Sequence, residues 1–326
     1  MNCFKYSDDN KRYHTLNYYN KHKFGEKIYK AVIDGGFTCP NKDGKAGHGG
    51  CIFCDNGSGY FTNGSLNIKE QVKSELNRIH KNKPNAKAIA YFQSNTNTYA
   101  PVENLKRIYE EALSIDGIVG ISIGTRADCL EPDILKYLSE LNKQTYLTIE
   151  LGMQSIHDTT LKFINRGYSH DTFKKGFVSL KSIGIRTCIH IINGLPYENE
   201  DMMIETAREV GILEPDAMKI QMLHVIGNTK LAELYEQGLF KLLSMDEYIN
   251  ITVKQLEFLF PETVIERITG DGDKAKLIAP KWSANKIAVL GGIDKKQSEL
   301  NTYQGIKVSH NYCLLYTSDA ADDSLR

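Results

Sequence analysis

Three of the chain's seven cysteines, Cys39, Cys51 and Cys54, follow one another with the spacing C-x11-C-x2-C. A C-x-x-C pair can set two thiolates on one metal centre, and the longer loop carries in a third. Gly44, Gly47, Gly49, Gly50, Gly57 and Gly59 lie among and just beyond them. Glycine permits the left-handed turns that wrap backbone around a cluster, and backbone amides can hydrogen-bond cluster sulfurs and tune their potential. Three chemistries compete for such a loop. A disulfide is disfavoured by the odd count and by the reducing compartment expected for this chain. A structural zinc site needs a fourth ligand, and His48 is at hand for a Cys3His set. A [4Fe–4S] cluster held by three cysteines leaves one iron open, which is useful only where something else binds.

The elements that must position this loop read as an alternation. FGEKIYKAVID is a strand candidate that runs straight into the cysteines, and SLNIKEQVKSELNRIHK follows with Ile68, Val72, Leu76 and Ile79 at helical spacing. Five more strand candidates (AKAIAYFQ, GIVGISIGT, TYLTIELGMQS, RTCIHIINGLP and AMKIQMLHVI) alternate with helical segments to about Val225. Repeated βα units predict a parallel sheet with right-handed crossovers, and several near-continuously apolar strands predict cover on both faces. The expected fold is α/β: a partial (β/α)6 TIM-like barrel at 24–240, preceded by an N-terminal segment at 1–23 and followed by a small C-terminal α/β extension at 241–312. Loops at the C-terminal ends of the strands then carry function, and the cysteine loop lies at that end. The stretch from Cys313 to Arg326 resembles translated sequencing-adapter read-through and is expected to carry no function. The chain has 41% hydrophobic and 25% charged residues, as a soluble globular protein should, and Lys+Arg equals Asp+Glu at 40 each. No dominant pull toward nucleic acid or membrane is indicated. The N-terminus has no apolar signal region and no run approaches the ~20 residues that span a bilayer, so the expected location is cytoplasmic, with no membrane partner.

The CIFC end of the loop, with Phe53 before the last cysteine, resembles the cluster motif of radical S-adenosylmethionine (SAM) enzymes, in a variant with a lengthened first spacing. The resemblance implies two cofactors, a [4Fe–4S] cluster on Cys39, Cys51 and Cys54 and SAM on the open iron, and release of a 5′-deoxyadenosyl radical. It also implies roles at other strand ends. Ser94, Asn95 and Thr96 stand where relatives carry a glycine-rich stretch that holds the methionyl amine. Gln154 and Arg166 are spaced as a SAM-contacting Gln and Arg are in coproporphyrinogen-dehydrogenase-like relatives; a planar guanidinium suits a carboxylate. His190 stands where relatives often use Asp to hold ribose hydroxyls. Arg126 points by topology to the same mouth, and Cys129 beside it could donate a hydrogen atom or carry an adduct. Taken alone, each has a blander reading: a polar turn, a helix-end charge, a core histidine, a small packed thiol.

FGEKIYKAVIDGGFTCPN, FQSNTNTYAP, SIGTRADCL, ELGMQSIHD, INRG and GLPYE together are similar to a bacterial family of radical SAM proteins related to the Elongator catalytic subunit, over about residues 13 to 312. That resemblance implies a tRNA partner, with chemistry on a side chain at C5 of the wobble uridine, and a reductant such as flavodoxin or ferredoxin. KRYHTLNYYNKHKFGEKIYK interleaves cations with tyrosines, which suits phosphate contact and base stacking. Two alternatives remain: a radical SAM enzyme acting on a small molecule or protein, and a non-enzymatic zinc-containing nucleic-acid module.

Overall fold

The computed structural model describes residues 4–55, 62, 64–270, 272–273 and 275–308; Cys3, Gly57, Gly59 and the tail from Cys313 lie outside the described residues. Strands β1 (Tyr29–Ile33), β2 (Ala88–Phe92), β3 (Ile118–Thr125), β4 (Tyr146–Gln154), β5 (Arg186–Asn193) and β6 (Ala217–Met222) pair in parallel in chain order. Short β7 (Val225–Ile226) leaves the sheet to pair with β9 (Leu277–Ala279), and β8 (Val264–Arg267) joins it beside β6 as a seventh parallel strand. The helices are α1 (Leu16–Phe24), α2 (Pro40–Asp43), α3 (Ile68–His80), α4 (Val102–Leu113), α5 (Pro132–Asn142), α6 (Asp158–Phe163), α7 (His170–Ser182), α8 (Glu200–Leu213), α9 (Lys230–Glu236), α10 (Met245–Leu256) and α11 (Lys286–Glu299). Local signals start several of them. Asn67 and Glu70 form a capping box on α3, Ser244 and Glu247 form one on α10, and the expected apolar stripe of α3 is buried. Among the described residues no helix is long and apolar enough to cross a membrane.

The strands alternate sharply. Ile149, Leu151, Ile189, Ile191, Met218 and Ile220 face outward into one core with Leu138, Phe177 and Leu180 of the covering helices. Each side chain so buried contributes roughly 1.5–3 kcal/mol. The intervening positions face the other way and are polar: Lys30, Tyr91, Ser122, Glu150, His190, Lys219 and Glu266 converge on one another. This convergence shows the curvature. β1 and β8 are the two edges of the sheet, which when flat would lie about 29 Å apart at ~4.8 Å per strand. Yet Lys30 Nζ on β1 is 2.8 Å from Glu266 Oε2 on β8. The sheet is therefore rolled into a partial, TIM-like barrel with a charged interior, rather than a sheet buried in apolar cover on both faces.

The amino-terminal stretch closes the end of the barrel opposite the cysteines. α1 starts on the Thr15 cap and stops at Gly25 in the left-handed region (φ 75°), so the first strand begins only at Tyr29. Tyr19 stacks on Arg186 (4.6 Å) at the start of β5, Phe24 meets Tyr146 edge-on at the start of β4, and Thr15 bridges to Ile265 of β8. Of the stretch expected to meet RNA, Tyr13, Tyr19 and Phe24 pack against the barrel, while Lys21, Lys23 and Lys27 are exposed.

A candidate active site of three thiols over a charged barrel interior

The loop after β1 turns at once into α2, with Cys39 at its N-cap and Pro40 in its first turn. Cys51 and Cys54 sit on a tight turn closed by Cys54 N–H donating to Cys51 O (2.9 Å). All three cysteines are half-buried and line the rim of a cavity of about 320 Å³ that runs down into the barrel. Asn95, Thr96, Arg126, Gln154, Arg166 and His190 line it too, from the C-terminal ends of β2 to β5. Ser94 and Cys129 are not in its wall. Ser94 is buried with its hydroxyl unpaired, and Cys129 is buried, its thiol pushed up to about 12 by burial and by Asp128.

Around the cavity the backbone is bent to bring these groups in. Asn95 takes φ 60° and accepts a hydrogen bond from Lys42 Nζ (3.1 Å), while Thr96 N–H donates to Thr38 O (3.1 Å), tying the β2 turn to the cysteine loop. Gln154 takes φ 70° at a register break in β4. A Cβ on Gly152 would meet Gln154 Nε2 at 2.5 Å and Arg166 Nη2 at 3.0 Å, so only glycine lets these two side chains close over the strand. Arg166 donates to Gly152 O (2.7 Å) and to Tyr168 Oη (2.6 Å), and Nη1 lies 3.9 Å from Cys51 Sγ. Arg126 is forked onto Asp128 (2.8 and 2.7 Å) and donates to Arg166 O (2.9 Å). Tyr168 lies under both guanidinium groups.

The floor is built on Glu150, which sequence reasoning missed. Its Oε1 accepts from Lys30 (2.8 Å) and Ser122 (2.6 Å); its Oε2 accepts from Tyr91 (2.8 Å), His190 (2.8 Å) and Lys219. Burial alone pushes this carboxyl up, but Lys219, Lys30 and His190 outweigh it and hold Glu150 well below the usual carboxylate range. Burial and Lys219 push His190 down from its ordinary value, so the ring is neutral. Glu150 can only accept, so Nε2 of His190 carries the proton and Nδ1 keeps its lone pair. His190 also lines the cavity, so the one role it offers a ligand is that of acceptor. His224, after β6, lines the cavity as well, with Nε2 buried and unpaired.

A tetrahedral zinc ion with bonds of about 2.3 Å holds its sulfurs about 3.8 Å apart. Among the described residues the one trio of ligand atoms within 4.8 Å of one another is Glu150, Cys188 and His190; Cys39, Cys51 and Cys54 form no such trio. Three half-buried thiols on one cavity wall, beside polar side chains from other strand ends, fit a cluster that gives each thiolate its own iron and leaves one iron open to a ligand. His48 does not complete a zinc set: its ring covers Gly44, outside the cavity wall. The Glu150 trio is no metal site either, since two ammonium groups already pair with its one carboxylate and burial pushes the Cys188 thiol well up. Among the described residues, buried Gln154 Oε1 and Arg166 Nε have no hydrogen-bond partner, which fits a site built for a polar ligand.

Comparison with known proteins agrees with this geometry. The family model described as the Radical SAM superfamily matches residues 44–210, and that of the Radical SAM C-terminal domain matches 215–299. The chain is 47% identical over 306 residues to the uncharacterized protein YtqA of Bacillus subtilis, covering 93% of this chain and 95% of that one. It is 31% identical over 137 residues to a tRNA uridine(34) acetyltransferase of Methanocaldococcus infernus, covering 41% of this chain and 25% of the relative. The solved structure of Elp3 from the same archaeon, with an N-terminal deletion, is similar in fold: TM-score 0.64 at 18% identity, over 85% of this chain and 64% of that one.

Proposed function

The chain belongs to the radical SAM superfamily, enzymes that use a [4Fe–4S] cluster and SAM, and on that premise we propose that it modifies a side chain at C5 of a tRNA wobble uridine. One observation carries the enzymatic reading: three thiols of one loop line a cavity that also presents Arg166 and His190. Cys39, Cys51 and Cys54 would hold the cluster, which with SAM would supply radical chemistry for removing a hydrogen atom from the substrate. The chain's own groups bind and orient. Arg166 offers a planar guanidinium to the SAM carboxylate. His190 accepts, through Nδ1, from a ribose hydroxyl. Asn95, Thr96 and Gln154 supply small polar contacts to the methionyl end. Arg126, locked by Asp128, holds fixed positive charge beside the substrate's reacting group. The charged floor keeps the barrel shut below the site, so the substrate enters from the mouth.

The tRNA substrate is supported by the likeness to a relative named for uridine 34 and by the Elp3 fold. The electron comes from a small carrier such as flavodoxin or ferredoxin. Nucleoside analysis of tRNA from cells with and without the protein tests the substrate. One C5-modified uridine should vanish in the deletion, with its precursor accumulating. Identical nucleoside profiles would redirect the search to small molecules or proteins.

A further inference from the structure

The cysteine loop is held by a segment distant in sequence. Asn165, just after α6, takes the left-handed conformation (φ 52°), and its side-chain amide donates to His48 O (2.9 Å) and Gly50 O (2.7 Å). Its carbonyl accepts from Asn41 Nδ2 (2.5 Å), and the carbonyl before it, on Ile164, accepts from Ile52 N–H (3.0 Å). Asn41 answers from inside the loop. It is fully buried, its carbonyl accepts from Gly50 N–H (2.8 Å), and its Nδ2 also lies 3.7 Å from Cys51 Sγ. Because Asn165 O can only accept, the Asn41 amide is oriented with nitrogen toward the sulfur. Space is cleared for it: a Cβ on Gly47 would lie 2.2 Å, and one on Gly167 2.6 Å, from Asn41 Oδ1.

We infer that Asn165 and Asn41 are positioning residues that hold the cysteine loop in its ligand-presenting shape and aim an N–H donor at the Cys51 sulfur. The inference rests on the assignment of Cys39, Cys51 and Cys54 as cluster ligands. Its physical basis is twofold. Bonds that join the 41–52 loop to the 164–166 turn fix the loop without help from the metal, so fewer backbone states are lost when the cluster is held. An N–H near a ligating sulfur stabilises the more negative, reduced cluster and so raises its potential. Arg166 Nη1 adds a second donor to the same sulfur.

The test uses the full chain, anaerobically reconstituted, in three variants with the wild-type circular dichroism spectrum. Asn165→Asp keeps the shape but sets a carboxylate against two carbonyls. Asn165→Gly keeps the left-handed backbone and removes the amide. Both should lose iron to an iron(II) chelator about 10–100-fold faster than wild type, the usual range for outer-shell ligand contacts. Asn41→Ala should move the cluster's midpoint potential, followed by electron paramagnetic resonance, to a more negative value, which a merely loosened fold would not do. Wild-type iron loss in both Asn165 variants, or an unmoved midpoint in Asn41→Ala, would overturn the inference. If wild type itself takes up no iron, the cluster assignment fails and takes the inference with it; normal variants alone leave that assignment standing.

Discussion

Glu150 shows how much of this site is set by single side chains. One carboxylate with five donors ties together strands β1 to β6. Buried charges tolerate pairing but not its loss: removing one partner typically costs about 3–5 kcal/mol, because the others remain buried without compensation. Glu150→Gln, which keeps the shape and deletes the charge, should lower stability in urea by that amount. Replacing Lys219 by Met in the same chain should recover part of it. A single variant as stable as wild type would mean that the network is not energetically coupled. At His190, by contrast, the side chain expected to serve the ribose keeps an acceptor for it only because Glu150 fixes the tautomer.

At the scale of elements, helix packing sets the loops. α7 crosses the β3 loop so closely that a Cβ on Gly176 would lie 2.4 Å from Ala127 O, next to Arg126. Gly176→Ala should destabilise by roughly 1–3 kcal/mol, as overpacking does, visible as a lower thermal midpoint; an unchanged midpoint would show that the loop gives way freely. Much of the framework was legible from sequence. The stripe of α3, the βα alternation and the cysteine loop at the C-terminal end of β1 follow from local periodicity and turn chemistry. The interior was not read, although its signal was present. TIELGMQ alternates Ile149, Leu151 and Met153 with Glu150, Gly152 and Gln154, a period of two that sets the apolar side chains on one face and Glu150 and Gln154 on the other. The packing role of Tyr19 near the N-terminus is hidden from local sequence because its partner, Arg186, lies far along the chain. Cys129 lies close to the mouth in sequence, but only tertiary packing reveals that it is buried.

For the whole molecule, zero net charge coexists with a strongly charged interior, and pH will act through buried histidines. Burial, then Lys286 and Arg267, push His224 down to about 4 from 6.5. Between those values the unfolded chain binds the proton that the folded chain refuses, so stability falls as pH falls; above 6.5 this group contributes no slope. From pH 7.5 to 5.0 the wild type should lose roughly 2 kcal/mol through His224. His224→Gln should remove that part of the decline in urea titrations at the two values, and an undiminished decline would refute the assignment. The central claim is that three thiolates of one loop make this barrel a SAM-cleaving enzyme. The direct measurement is 5′-deoxyadenosine formed by the anaerobically reconstituted chain with dithionite and SAM, beside Cys51→Ala. The wild type should hold about four iron per chain and release the nucleoside, and the folded Cys51→Ala chain should release none. A wild type that holds a single colourless ion and forms no nucleoside, or a variant that forms as much as wild type, would contradict it.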